Sequence, residues 1–282
     1  MDIRRSLLQE GWYPGSAAEC ESQIRSFLSE TRSLTGHLMR PVGGVVPHAG
    51  WRYSAITAIS VFRSLQMALK PDVLVLFGGH LTAGDPDLVV TEDFWQTPLG
   101  DIQIDGELTA ELRRKITLCA WPRQYVDNGV EVHLPLIKHF FQNTAIAVLG
   151  IAPRAKAADI GQTVADVLRT CGRSALVIGS TDLTHYGPQY GFVPEGFGDT
   201  SVGWVKNTND RRFIDLMIRM EENKVLDEAQ SRHNACCPGA VVAAIVASQA
   251  LGATVGTLLD YRTSYDTHKG DNFVGYAGIV FS

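Results

Sequence analysis

The run Val73-Leu74-Val75-Leu76-Phe77 constrains this chain more than any other stretch. Consecutive apolar residues leave no polar face, so a strand made of them must be covered on both sides, which is the condition of a parallel sheet. Pro71-Asp72 before it ends a crossover connection. Gly78-Gly79 after it lets the backbone come close to whatever His80 touches. Comparable runs at 44–46, 145–151 and 175–179 alternate with stretches of helical character at 55–65, 107–115, 155–170 and 239–250. The alternation predicts an α/β fold: a single domain over 1–282 with a mostly parallel central sheet flanked by helices.

Smaller expectations follow from local chemistry. Gly11-Trp12-Tyr13-Pro14-Gly15 is an aromatic turn before a helix over 16–28, and residues 35–39 lead into the first strand. Ser54 is placed to cap the helix over 55–65. Thr97-Pro98-Leu99-Gly100 is a turn between strands, and the chain closes with strands at 253–259 and 273–281 around a polar loop, 261–272. Residues 190–209, rich in Gly, Thr, Asn and aromatics, read as a loop serving as a lid or subunit contact, or merely packing on the surface.

Composition narrows the function classes. With 45% hydrophobic and 20% charged residues and a net charge of −5, the chain carries no basic footprint for nucleic acid. It also has no apolar run of membrane-spanning length, and no signal-peptide core follows Met1-Asp2-Ile3-Arg4-Arg5. The five cysteines are odd in number and irregularly spaced, unlike a disulfide framework. A cytoplasmic protein with reduced thiols is expected.

The candidate chemistry sits where strands end. Val45-Val46-Pro47-His48 delivers one histidine at a strand tip, Gly79-His80 a second, and Ser180-Thr181-Asp182-Leu183-Thr184-His185 an acid and a third histidine. Parallel strands share their carboxyl edge, where open α/β sheets bind ligands. Pro238 suits a first helical position, which puts Cys236 and Cys237 at a helix N-terminus where thiolates form readily. Two imidazoles and a thiolate suit Zn, Cu or Fe; two imidazoles and a carboxylate suit non-haem Fe(II). A Cys236/His185 nucleophilic pair, or purely structural roles, remain open on these residues alone.

The motifs Gly11-Trp12-Tyr13-Pro14, Val46-Pro47-His48-Ala49-Gly50-Trp51-Arg52-Tyr53-Ser54, Gly79-His80, Thr97-Pro98-Leu99-Gly100, Glu131-Val132-His133-Leu134-Pro135, Ser180-Thr181-Asp182-Leu183-Thr184-His185-Tyr186, Asn234-Ala235-Cys236 and Val274-Gly275-Tyr276 occur in this order. In that order they resemble the Memo family, also known as protein B of the AmmeMemoRadiSam system. The resemblance implies a fold like that of class III extradiol dioxygenases, which open catechol rings with non-haem iron. It implies a metal site of His48, His80 and Cys236, with Asp182 and His185 at the pocket, and iron or copper redox chemistry on a small molecule or dioxygen. A partner from a radical-SAM system is implied too. A metal-binding accessory protein without turnover is the alternative, and hydrolysis by zinc-bound water or Cys236 a weaker one.

The chain departs from the family pattern at two places. Asp127-Asn128-Gly129 stands where many members have Glu-His-Ser, so an imidazole is missing and the acid–base role passes to His133 or His185. Cys237 stands where a glycine is usual, leaving two adjacent thiols. Cys236 is the ligand by alignment, and Cys237 has the plainer reading of a small buried hydrophobe. Trp51, Tyr53 and Trp95 are pocket or core aromatics, with core the commoner fate. His37, His139, His233 and His268 carry no companion signal.

Overall fold

The computed structural model describes residues 1–8, 11–31 and 40–282. The stretch 35–39 and His37 lie outside the described residues. Four strands form the parallel heart of the sheet: β1 (Gly43–Val46), β2 (Val73–Gly78), β3 (Ala145–Gly150) and β4 (Ala175–Ser180). Their spatial order is β1-β4-β2-β3, every neighbouring pair parallel. Strands antiparallel to this heart extend both flanks. Leu88–Val89 pairs with β3 and carries Cys119–Ala120 beyond it, while the C-terminal strands β5 (Gly256–Thr263) and β6 (Phe273–Phe281) close the other side through β6 on β1.

The apolar run in β2 explains its own surroundings. Val73, Val75 and Phe77 point to one face, where helices Lys156–Thr170 and Pro238–Ala250 cover them, and Leu74 and Leu76 point to the other, beneath Trp51–Ala68. All five are fully buried. Each contributes roughly 1.5–3 kcal/mol by leaving water. The mostly parallel α/β sheet flanked by helices is therefore the architecture adopted.

The hairpin expected around Thr97-Pro98-Leu99-Gly100 forms, with Phe94 opposite Gln103, and Gly100 adopts the positive φ of 107° that favours glycine. Trp51 and Trp95 are core, at 2% exposure each, whereas Tyr53 faces a cleft. Glu131 clasps its own motif to the Gly11–Pro14 turn and the N-terminal residues, its Oε1 accepting from the Tyr13 hydroxyl and the amides of Leu7 and Leu8. The indole of Trp51 donates to Val132 O.

Three local expectations are corrected. The helix after His48 starts at Trp51 with Gly50 as its cap, and the Ser54 hydroxyl instead donates back to Ala49 O at 2.7 Å. Anchoring of the Trp51 indole in the core draws those earlier residues into the first turn. The strand placed at 253–259 runs over Gly256–Thr263, because Asp260, Tyr261 and Arg262 sit on a half-buried outer strand that tolerates polar residues. Much of the polar segment 190–209 is helical: Asp199–Trp204 continues through a π-helical turn, Val205–Asn209, into Asp210–Arg219.

Among the described residues, no helix is long and apolar enough to cross a membrane.

Candidate metal centre

Each ligand candidate is delivered by the end of an element. β1 stops at Pro47, which has no amide to donate, and His48 follows; its amide donates to Asp182 Oδ1 at 2.7 Å. β2 stops at Gly78, and Gly79 with φ 93° swings His80 back toward the edge. Cys236 and Cys237 precede the helix that begins at Pro238. The close fit of that helix depends on Gly239, where a Cβ would lie 2.7 Å from Ile151 O and 2.8 Å from Ala152 O.

The four side chains converge. One donor atom each from His48, His80, Cys236 and Cys237 lies within 4.8 Å of the others. The two imidazole centroids are 4.8 Å apart at 72°, and His48 Nε2 lies 3.1 Å from Cys236 Sγ. His48 is 1% exposed, whereas the His80 side chain is 37% exposed and opens the group to solvent. Nitrogen and sulfur donors in this number suit a transition metal or zinc, so the His/Cys cluster can hold a metal ion.

Surrounding groups fix the donors. His80 Nδ1 pairs with Asp127 Oδ1 at 2.9 Å while Asp127 Oδ2 accepts the His80 amide at 2.7 Å, which leaves Nε2 free for the cluster. His48 Nδ1 lies 2.8 Å from Ser180 Oγ, and His133 Nε2 lies 2.9 Å from the same oxygen. A hydroxyl has one proton, so it donates to one ring and accepts from the other. Burial, helped by the nearby His48, drags the His133 imidazole down to about 3 and keeps it neutral. Burial lowers the His48 imidazole, but Cys236 and Asp182 outweigh it and raise it, so in the metal-free protein Nδ1–H donates to Ser180 Oγ, whose hydroxyl donates on to His133, while Nε2–H faces the Cys236 sulfur.

Electrostatics favour a thiolate at Cys236. Burial opposes ionisation, but a hydrogen bond from Cys237 and the adjacent His48 and His80 rings hold the Cys236 thiol well below its usual range. The Asp182 amide donates to its sulfur at 3.2 Å. Cys237 is driven the opposite way by its hydrogen bond to Cys236 and then by burial. Burial lowers the His80 imidazole, yet Asp127 and Cys236 outweigh it and push it up to about 10.

That value makes a prediction. At pH 7 the metal-free site keeps a proton on His80, which an incoming metal must displace. Affinity is expected to rise between pH 7 and 9 by about tenfold per pH unit for each proton displaced. Asp127→Asn removes the carboxylate that helps hold the proton, so competition titrations against a chromophoric chelator should give a flatter slope. Identical slopes in variant and wild type would show that Asp127 has no hold on the ring.

The two acid–base candidates lie in different surroundings. His133 is 1% exposed and sits behind Ser180, against Phe62 at 6.1 Å. His185 lines a cleft of about 330 Å³ together with Asp182, Asn128, Tyr53, Tyr190 and His268. Its Nδ1 lies 3.0 Å from Leu183 O, and Tyr190 stands edge-on to the ring at 5.0 Å. The preceding Thr184 is gripped by Asn209 and Asp210, both presented where the π-helical turn ends. Asn128 donates to His48 O at 3.0 Å.

Asp127 and Ser180 are the site residues that sequence reading did not pick out as orienting groups. Ser180 carried a weak signal, standing in the same strand-end motif as Asp182. Asp127 is 47 residues from the ring it holds.

Fold and site together define an α/β protein with a candidate metal centre at the carboxyl edge of a parallel sheet. A family model described as Memo-like protein matches residues 5–280, and the chain belongs to the Memo family. A MEMO1 family protein of Thermococcus onnurineus is 32% identical, with 99% of each chain covered. Another, from Methanothermobacter thermautotrophicus, is 33% identical over 98% of this chain and 99% of its own. The crystal structure of an uncharacterized protein from Escherichia coli K12 shares the fold, with a TM-score of 0.52 over 85% of this chain and 99% of that chain at 10% identity.

Proposed function

We propose that this chain is a metal-dependent oxidoreductase in which His48, His80 and Cys236 hold iron or copper and the adjacent cleft admits a small molecule or dioxygen. The observation that carries the reading is the convergence of two oriented imidazoles and a thiolate, within 4.8 Å, beside a cleft of about 330 Å³. Iron or copper would supply electron transfer with the substrate, which zinc, the other metal fitting these donors, does not.

The protein's own groups do the rest. Asp127 and Ser180 set the ring orientations and leave each Nε2 directed at the cluster. Asp182 holds the His48 backbone through its carboxylate and the Cys236 sulfur through its amide. His185, with Nδ1 engaged at Leu183 O, presents Nε2 to move a proton between cleft and solvent. Tyr53 and Tyr190 give the cleft aromatic walls for a small organic molecule.

One observation favours a second reading, a metal-holding accessory protein without turnover: the residues lining the cleft include Asp182, His185 and Asn128 but none of the three ligands. Nitric oxide added to anaerobically reconstituted Fe(II) protein separates the readings. An electron paramagnetic resonance signal from an adduct supports an exchangeable position and hence the oxidoreductase. Its absence from stoichiometrically loaded protein favours the accessory role.

A further inference from the structure

We propose that Cys237 is a fourth protein ligand, so that a divalent ion at this site is bound by two imidazoles and two thiolates. The inference rests on the reading of His48, His80 and Cys236 as ligands and adds a residue to it.

A tetrahedral site with metal–nitrogen distances of about 2.0–2.1 Å and metal–sulfur distances of about 2.3 Å needs donor atoms roughly 3.3–3.8 Å apart. The four donor atoms already lie within 4.8 Å of one another, and His48 Nε2 and Cys236 Sγ are 3.1 Å apart. Rotations of about an ångström at the sulfur or ring complete such a shell, with no rearrangement of the elements that carry it. A cysteine serving only as a small hydrophobe needs no such neighbours. Cys237 is 3% exposed and touches the apolar core on one side, yet its sulfur stands among three other metal-ligating atoms.

The backbone is built to keep both sulfurs there. The Cys237 amide donates to Thr181 Oγ1 at 3.1 Å, and the Cys236 amide donates to Asp182 O at 3.2 Å, so each cysteine is tied to the end of β4. Cys237 is also the N-cap of the 13-residue helix Pro238–Ala250, which turns the positive end of its dipole toward the site. That end favours accumulated negative charge. On binding, the Cys237 S–H bond breaks, its proton passes to solvent, and a sulfur–metal bond replaces it. Two thiolates then cancel the charge of a divalent ion in a largely buried site. Four protein donors also complete a tetrahedral shell, so a cleft molecule reaches the ion only as a fifth ligand.

Cobalt(II) reports the donor set directly, because thiolate-to-cobalt charge transfer in the near ultraviolet scales with the number of bound thiolates. The wild type loaded with one equivalent of Co(II) is compared with Cys237→Ser, Cys237→Ala and Cys236→Ser, each checked for folding by circular dichroism. Expected is stoichiometric cobalt in both Cys237 variants with about half the charge-transfer intensity, and protection of Cys236 and Cys237 together from alkylation in loaded wild type. Unchanged intensity in both Cys237 variants, with Cys236→Ser losing the charge-transfer band altogether, would overturn the fourth ligand while leaving the three-ligand reading intact. A wild type that binds no cobalt would overturn both.

Discussion

Replacement of His80 by alanine is expected to abolish stoichiometric metal binding while leaving the fold in place. The ring contributes one of the nitrogen donors, and its side chain is 37% exposed, so truncation opens no sealed cavity. Nor does it strand Asp127. That carboxylate still accepts the amide of residue 80 through Oδ2 and the Gly129 amide through Oδ1 at 2.8 Å. The metal-free variant should therefore keep the fold, although it loses the charge pairing of the ring with Asp127 and Cys236 and some stability with it. His48→Ala is expected to lose metal too, but at a structural cost. His48 is 1% exposed and its Nδ1 partners Ser180, so a buried void and a weakened hydrogen-bond relay should lower stability by about 2–4 kcal/mol. Elemental analysis of protein purified without a metal-affinity tag, with denaturant titrations of the same samples, reads both quantities. Full metal retention in His80→Ala would remove that ring from the ligand set.

What could be read from the sequence divides by the range of the interaction. The unbroken run Val73-Leu74-Val75-Leu76-Phe77 demanded cover on two faces, and both faces are covered. His48 and His80 were placed at strand tips because Pro47 and Gly79 sit beside them, and strand ends in a parallel sheet share an edge. Pairings across long stretches of chain carried no such signal. Asp127 read only as a departure from a family pattern, since nothing near residue 127 says that His80 lies beside it. The segment 190–209 looked like a loop because Gly, Thr and Asn are poor helix formers. Burial of Val202 and Val205 against Tyr186 and Phe273 outweighs that weak propensity. The outer strand Gly256–Thr263 was cut short for a related reason. Asp260 and Arg262 pair with each other at 2.8 Å, and Tyr261 donates to Asp210, so residues that look like a polar loop are satisfied within a strand.

The partners of Ser180 lead to the second large effect, in acid. His133 in the folded protein is held down to about 3, below its ordinary value of 6.5. Above pH 6.5 the ring is neutral in folded and unfolded chains alike, and its contribution is fully present. As pH falls from 6.5 toward 3, the unfolded chain takes up a proton that the folded protein refuses, so stability drains away through that window. The loss attributable to this one ring is on the order of 5 kcal/mol when the window has been crossed. Asp210 acts in the opposite sense. Burial raises its carboxyl to about 6, so the folded state gains a proton first and stability recovers somewhat as pH falls through 6 toward the ordinary carboxylate value. Total stability alone does not separate the two. His133→Gln does, because the amide oxygen takes the place of Nε2 as acceptor for the Ser180 hydroxyl and does not titrate. Denaturant unfolding at pH 7.5 and at pH 4.5 should show a smaller loss in the variant than in wild type, by about 2.7 kcal/mol over that interval. Equal losses would mean that His133 is protonated in the folded protein, and that Ser180 is then free to donate to His48 instead.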